Sequence, residues 1–539
     1  MKRIFAFAAV LLLAACTRVG TGGPGGHNAF TKPHYVRYAD GGGDLATLNP
    51  VLNAETRLSF IAEMTMAYLA RYDAHNRPVP ELLTVIPTQR NGGISADGKT
   101  ITWHLRRGVR WSDGAPFTAD DVVFSTNVVN NPANNVIGRD GWNLIQKMDE
   151  PDKYTVVYHL RKPYAAYLPT FFGTAGANPC ILPKHILGGL PNINQAPYNA
   201  KPIGIGPFRV VAWRRGDAVE LEANPYYWRG RPKLQRVTYK MVPDRNTLIT
   251  LMQTGEVDLW PLVPSGYINR TKSLAGFRTD VVPSYYFAHI DFNLRNPILR
   301  DIRVREALRY AIDRQTIVEK TAFGYGILQE SMVSPANPVS DQRIPMTPYD
   351  AAKAKALLDE AGWKVGPDGI RTKNGHRLSL RFASYTGAPD TDERIELLRS
   401  WWKAIGVEIT LQKYAVNVFF ENPNGVIYGG KFDITIYSWG GDPIGELSNL
   451  YECNQWPPNG QNMMHYCNPK VDAAMEHFKG SYDEAKRQQY VNFEQEQIVK
   501  DVPTVVLYVL KDGYAYNTDL TGYHPNGVTP FDDMMNVDI

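Results

Sequence analysis

The run Tyr437-Ser438-Trp439-Gly440-Gly441-Asp442-Pro443 gathers residue types suited to holding a small molecule. Asp442 supplies a carboxylate held by the following proline, and Trp439 supplies a flat apolar wall. Gly440 and Gly441 carry no side chain, which leaves main-chain N–H and C=O groups open to a ligand. This is chemistry of binding. In a cleft drier than bulk water, a carboxylate holds an ammonium group by a charge-assisted hydrogen bond of greater strength than in water. The same residues also suit a plainer purpose, in which Asp442 caps a hydrated turn and Trp439 fills a core. Further candidates are Tyr286, His289 and Asn293 in the run Tyr285–Asn293, and Gly43 in the loop Gly41–Asp44. Strand alternation sets His289 opposite Ala288 without telling which faces a ligand. A tight turn explains the glycines of the loop as well as close backbone approach does.

Signatures of catalysis are missing from the string. There is no G-x-S-x-G elbow, no H-E-x-x-H and no phosphate-binding loop, and the Gly204–Gly206 pair precedes Pro207 and a strand instead of opening a helix. The four cysteines lack Cys-x-x-Cys spacing and no two histidines fall close together, so neither a metal nor another cofactor is expected. Lys plus Arg number 58 against 54 Asp plus Glu, a net charge of +4, two of which (Lys2, Arg3) belong to the extreme N-terminus. That balance argues against a nucleic-acid partner. Cys453 and Cys467 bracket an Asn-, Pro- and Gly-rich stretch and are predicted to form a disulfide, with Cys180 buried and unpaired. Between them, Asn454–Asn462 offers amides and the Trp456 indole, a combination that also suits hydroxyl-rich ligands.

Lys2 and Arg3 followed by the apolar Ile4–Leu13 read as a signal segment, too short to span a bilayer as a mature helix. It ends in Leu13-Ala14-Ala15-Cys16, which is similar to a bacterial lipoprotein processing box and makes Cys16 the acylated residue; Thr17–Asn28 is a glycine-rich tether. At 539 residues the chain exceeds what one core supports. The elements that would position the candidates alternate between strand and helix. Phe208–Ala212 and Val219–Leu221 form a hairpin turning at Gly216, and Thr118 with Asp121 forms a capping arrangement. Asp301 caps a periodic helix with Val304, Leu308 and Ile312 inward and Arg303, Arg305 and Arg309 toward water. Pro348 opens a helix closed by Gly362, Asp433–Trp439 is a strand, Ser481 and Glu484 form a capping box, and Val505–Leu510 is the last strand.

Several strings are specific in wording as well as in pattern. The stretch from Gly204 through Gly-Pro-Phe208, Trp213, Gly216 and Asn224-Pro225-Tyr226-Tyr227-Trp228 resembles the extracellular solute-binding proteins that serve dipeptide, oligopeptide and nickel ABC importers. Trp103 to Gly114, Phe117 to Ser125, Cys180 to His185 and Arg303 to Arg314 extend the resemblance over nearly all of the chain after the tether. It implies an α/β, two-lobed periplasmic-binding-protein-like fold (type II, large cluster C-type) with a ligand cleft between the lobes. The implied division is 1–16 signal segment, 17–30 tether, 31–282 first lobe with an extra subdomain near 70–200, 283–499 second lobe, and 500–539 returning to the first.

The resemblance further implies a monomeric receptor that performs no reaction. It would be anchored through Cys16 in the periplasm or at the cell surface and would deliver short peptides to a membrane permease, Asp442 pairing with the peptide's α-ammonium. Two other readings stay open: the same fold binding an oligosaccharide, an opine-like compound or another organic solute, and a scaffold or chaperone-like surface lipoprotein outside transport.

Overall fold

The structure is a computed structural model that describes residues 28–539 apart from 54, 67, 140, 174–178, 422–423 and 442–443. The signal segment, Cys16 and most of the tether lie outside the described residues, as does Asp442. No described helix is long and apolar enough to cross a membrane.

One sheet runs through the whole molecule. Its strands, with the helices that matter to the site, are β1 (Tyr35–Tyr38), α1 (Thr56–Thr65), β2 (Phe208–Arg214), β3 (Ala218–Ala223), β4 (Arg236–Lys240), β5 (Leu259–Val263), β6 (Phe277–Phe292), α2 (Ile302–Tyr310), β7 (Ser379–Tyr385), α3 (Pro389–Ala404), β8 (Glu408–Tyr414), β9 (Ile434–Gly440), α4 (Pro469–Gly480), α5 (Glu484–Asp501) and β10 (Thr504–Asn517). The order across the sheet is β8-β7-β9-β6-β10-β5-β1-β4-β3-β2, with Gly326–Ile327 also paired to β10. β6 and β10 are long, antiparallel partners that belong to both halves. Their register runs from Phe277↔Asn517 to Pro283↔Lys511, then lapses and resumes at Phe287↔Val509. A lapse in ladder pairing is where a strand pair bends most freely, and here it divides the sheet into two lobes.

Each lobe has its own core. In the first, Val36, Tyr38, Phe208, Val219, Val237 and Tyr514 pack around the sheet, while Trp103, Trp111, Trp142, Tyr158 and Phe171 build a separate aromatic core between residues 69 and 205. There the strands Thr100–His104, Thr155–Leu160 and Ile145–Asp152 form a small sheet of their own. In the second lobe Ile290, Phe292, Leu308, Leu380, Phe382 and Trp402 pack the α/β layers.

The local predictions fare unevenly. The hairpin forms as expected, with Gly216 at φ 71°, and Thr118 and Asp121 make the capping box. Asp301 caps α2, but only Arg303 reaches solvent. Arg305 and Arg309 are buried, contrary to expectation. Arg305 donates to the carbonyls of Leu299, Asp501 and Val502, and Arg309 to that of Val499. The guanidinium groups thus satisfy carbonyls at the C-terminal end of α5, where the helix dipole also favours positive charge. The cap of α5 is Asp483, accepting from Ala485 and Lys486, in place of Ser481. The helix predicted from Pro348 begins at Ala351 behind Asp350. The last strand is longer than Val505–Leu510: residues up to Leu510 pair with second-lobe strands and the return to the first lobe comes at Lys511–Asp512, later than residue 500.

Candidate functional site

β6 and β9 lie side by side in the register Tyr286↔Gly440, Phe287↔Trp439, Ala288↔Ser438, His289↔Tyr437. Side chains alternate between the faces of a strand, so Tyr285, Phe287, His289 and Asp291 share one face of β6 with Tyr437 and Trp439 of β9. At the end of this face nearest the bend opens a cavity of about 300 Å³. Its floor is Tyr285, Phe287, Trp439, Gly440 and Gly441, and its walls come from Met332 to Asn337 and from Gly445 to Leu450.

Three of the predicted residues, Trp439, Gly440 and Gly441, therefore line the cavity. The glycines act through close approach more than through open backbone. A Cβ on Gly440 would sit 3.1 Å from the ring of Tyr286, and one on Gly441 3.0 Å from the carbonyl of Tyr285. The Gly441 N–H is already spent on that carbonyl at 2.8 Å, so it is not available to a ligand as expected from sequence. Tyr286 is exposed and its hydroxyl lies 3.4 Å from Thr56 Oγ1 at the start of α1, which places it between the lobes. Asp442 and Pro443 lie outside the described residues, between the lining residues Gly441 and Gly445 in the chain.

The structure does not bring the remaining candidates to the cavity. Tyr437 is 4 % exposed and His289 also 4 %, and both are occupied internally. Asp291 accepts the Tyr437 hydroxyl at 2.6 Å and faces His289 Nδ1 at 2.9 Å. Burial, with the Asp291 charge beside it, pushes the Tyr437 phenol well above its ordinary range. Asn293 is buried and fastens a turn: its amide donates to the Phe432 and Gly430 carbonyls, and its oxygen accepts from Arg295 N–H. Gly43 lends its carbonyl to Arg57 at 2.8 Å, in a loop where Asp40 also accepts from Gly42 N–H and the Tyr239 hydroxyl. That turn accounts for the glycines without a ligand.

Sequence reasoning missed Met332, Ser334, Asn337, Glu446 and Asn449, all of them lining residues. Met332 to Asn337 sits in a loop with no period to read. Glu446 had a legible signal, since it is a second carboxylate four residues after Asp442.

The second lobe also touches the subdomain of the first, through residues that do not line the cavity. Lys162 Nζ meets Glu476 at 2.8 Å, Ala165 N–H donates to the Lys479 carbonyl at 2.5 Å, and the Tyr482 hydroxyl donates to the Gly98 carbonyl at 3.0 Å. The predicted disulfide joins Cys453 to Cys467, and Cys180 is buried and free. Within that loop Trp456 stacks edge-on with His465, and Gln461 accepts from the amide of Asn449 at 2.6 Å, supporting a cavity residue from behind. No cluster of three or more His, Cys, Asp or Glu that could hold a metal occurs among the described residues.

Comparison with known proteins agrees with this architecture. The chain is 28 % identical over 539 residues to the oligopeptide-binding protein AppA of Bacillus subtilis (strain 168), an alignment covering 96 % of this chain and 94 % of that one. The structure of AppA from Bacillus subtilis in complex with a nonapeptide superimposes with a TM-score of 0.79 at 25 % identity, covering 94 % of this chain and 99 % of the other. NikZ from Campylobacter jejuni, in complex with Ni(L-His), gives 0.80 at 26 % identity, covering 94 % and 100 %. Residues 77–461 match the bacterial extracellular solute-binding proteins, family 5. A sheet bent between two lobes, a cavity at the bend and a match over most of the chain together make this protein a member of the bacterial extracellular solute-binding proteins of family 5.

Proposed function

We propose that this protein is the substrate-binding receptor of an ABC importer, and that it captures short peptides between its lobes and presents them to a membrane permease. The observation that carries the reading is the cavity at the bend of β6. Its floor is aromatic and its walls combine apolar with hydrogen-bonding residues, the make-up of a small-molecule site. The peptide complexes of relatives such as AppA support peptide as the solute class. Closure about the lapse in the β6–β10 ladder would supply the docking surface, since hinge motion concentrates where few ladder bonds resist it. Asp442 pairs with the α-ammonium of the ligand, and Cys16 carries the lipid that keeps the receptor at the membrane, in the periplasm or at the cell surface.

Titration calorimetry with a pool of short peptides tests the first part. Binding should be saturable, should fail for N-acetylated peptides, and should weaken in Asp442→Ala; undiminished binding in either case removes the ammonium role. Saturable sugar binding without peptide binding would favour the oligosaccharide reading, to which the amides of the 453–467 loop lend support. Incorporation of labelled fatty acid, abolished in Cys16→Ser, tests the anchor.

A further inference from the structure

The tip of the α4–α5 hairpin belongs to the second lobe and is seated in the first. Tyr482, between the two helices, lays its ring over Gly98: a Cβ on Gly98 would stand 2.6 Å from Tyr482 Cε2 and 3.1 Å from Pro163 Cβ. Gly98 turns the chain at φ 69°, and a residue without a side chain is what leaves room there for a ring. The Tyr482 hydroxyl donates to the Gly98 carbonyl at 3.0 Å and accepts the Tyr164 N–H at 3.3 Å, while its ring lies 6.0 Å from that of Tyr167. Tyr482 thereby joins the aromatic core of the subdomain from across the lobes, as does Ile444. At the end of α4 the Lys479 carbonyl, one of those a helix leaves without an internal donor, takes the N–H of Ala165 of the first lobe at 2.5 Å. The hairpin is also fastened to the cavity. Lys479 Nζ meets Glu452 at 2.8 Å, just beyond the wall formed by residues 445–450, and Ile444 stands just before that wall.

We propose that Tyr482 and its Gly98 seat form a clasp that holds the two lobes shut and sets how long a bound solute is retained. The inference rests on the two-lobed receptor reading above and names the contact that keeps the closed form. The β6–β10 crossing joins the lobes whether they are apart or together, because it is continuous chain. The seating of Tyr482 exists only when they meet. Opening returns the apolar surface of the Tyr482 ring to water, which is the larger cost. It also trades the hydrogen bonds at Gly98, Tyr164 and Lys479 for bonds to water, a smaller one. The Lys162–Glu476 pair adds little, since both side chains are half-exposed and water screens them. Neither Tyr482 nor Gly98 lines the cavity, so the clasp acts on the closing equilibrium without touching the solute.

The Lys162–Glu476 pair supplies the reporter, because a water-soluble carbodiimide joins an ammonium to a carboxylate only where the two touch. The initial rate of this cross-link in the mature chain, read by mass spectrometry of a tryptic digest, follows the closed fraction, and it is measured with and without a mixed pool of tripeptides. The rate should fall about tenfold in Tyr482→Ala, which removes ring and hydroxyl together. Tyr482→Phe keeps the ring and should lower it about threefold. Gly98→Asn should match Tyr482→Ala, since asparagine accepts the left-handed backbone of this turn while its Cβ takes the place of the ring. The Lys479–Glu476 cross-link within α4 should form no more slowly in any variant, which shows that the helix is folded. A cross-link between the lobes that forms in the parent no faster than in urea overturns the clasp, as does a rate that either Tyr482→Ala or Gly98→Asn leaves unchanged. A rate that depends on Tyr482 yet is the same with and without tripeptides leaves the clasp standing and counts against the peptide reading.

Discussion

The two ends of the β6–β9 strand pair present the same kinds of residue on the same face and use them oppositely. Nearest the bend, Tyr285, Phe287 and Trp439 floor an open cavity. One step farther in, His289, Asp291 and Tyr437 hydrogen-bond to one another and are sealed from solvent. Aromatic rings and polar groups occur at both ends, so residue type does not separate a binding floor from a structural core. Burial does not separate them either, since Phe287 is as buried as Tyr437; what separates them is the void beside the first group: polar groups in the packed part must find partners within the protein, whereas those beside the cavity can find them in a ligand.

Four substitutions would break or sharpen that contrast, the largest effect first. Asp291→Ala should lower stability by about 3–5 kcal/mol, because the buried Tyr437 hydroxyl and His289 ring lose the acceptor they share. Urea unfolding should show this, and ligand affinity of the folded fraction should be unchanged.

Asp512 stands where β10 crosses between the lobes. Burial raises its carboxyl to about 6 from 3.8 despite the opposing hydrogen bond with Ser284. A folded-state pKa above the unfolded one means that the folded protein holds the proton more tightly. The resulting stability is present below about pH 4 and is lost as pH rises through about 6. Asp512→Asn should remove that slope and leave the variant more stable than the parent by about 1–3 kcal/mol at pH 7.5, as read from unfolding across pH 4–8.

Trp439→Ala acts at the open end. It should weaken solute binding about tenfold, roughly 1.4 kcal/mol, with a smaller change in stability than Asp291→Ala, because its ring is only half-buried. The smallest effect is expected for Gly440→Ala. The new methyl meets the ring of the exposed Tyr286, which can swing aside, so affinity should change by less than about threefold, under 1 kcal/mol. A large loss there would show that Tyr286 is held rigidly between the lobes.

Much of the site and fold could be read before the structure. The Gly216 hairpin, the Thr118–Asp121 box and the Cys453–Cys467 pair were legible because their causes are local: a positive φ, two side chains three residues apart, and one short loop. Trp439, Gly440 and Gly441 line the cavity, but the open backbone expected of the glycines is not there, since the Gly441 N–H is bonded to the Tyr285 carbonyl. His289, Tyr437 and Asn293 were misplaced for a different reason. They satisfy the same pattern as a cleft residue, and only tertiary packing seals them in: β10 lies beside β6 in the sheet, and the 430–432 turn closes over Asn293. Arg305 and Arg309 went astray in the same way, since their carbonyl partners at 499–502 are distant in the chain.

The amino-acid string by itself determined the family, the alternation of strands and helices, and the placing of an indole ring next to two glycines at 439–441, because these are fixed by residue type at short spacing. Tertiary structure alone decided which face of β6 stays open, where the chain bends between its lobes, and that Glu446 and Met332 share a wall. Those outcomes depend on segments far apart in sequence competing to bury the same apolar surface, and no local pattern records which of them wins.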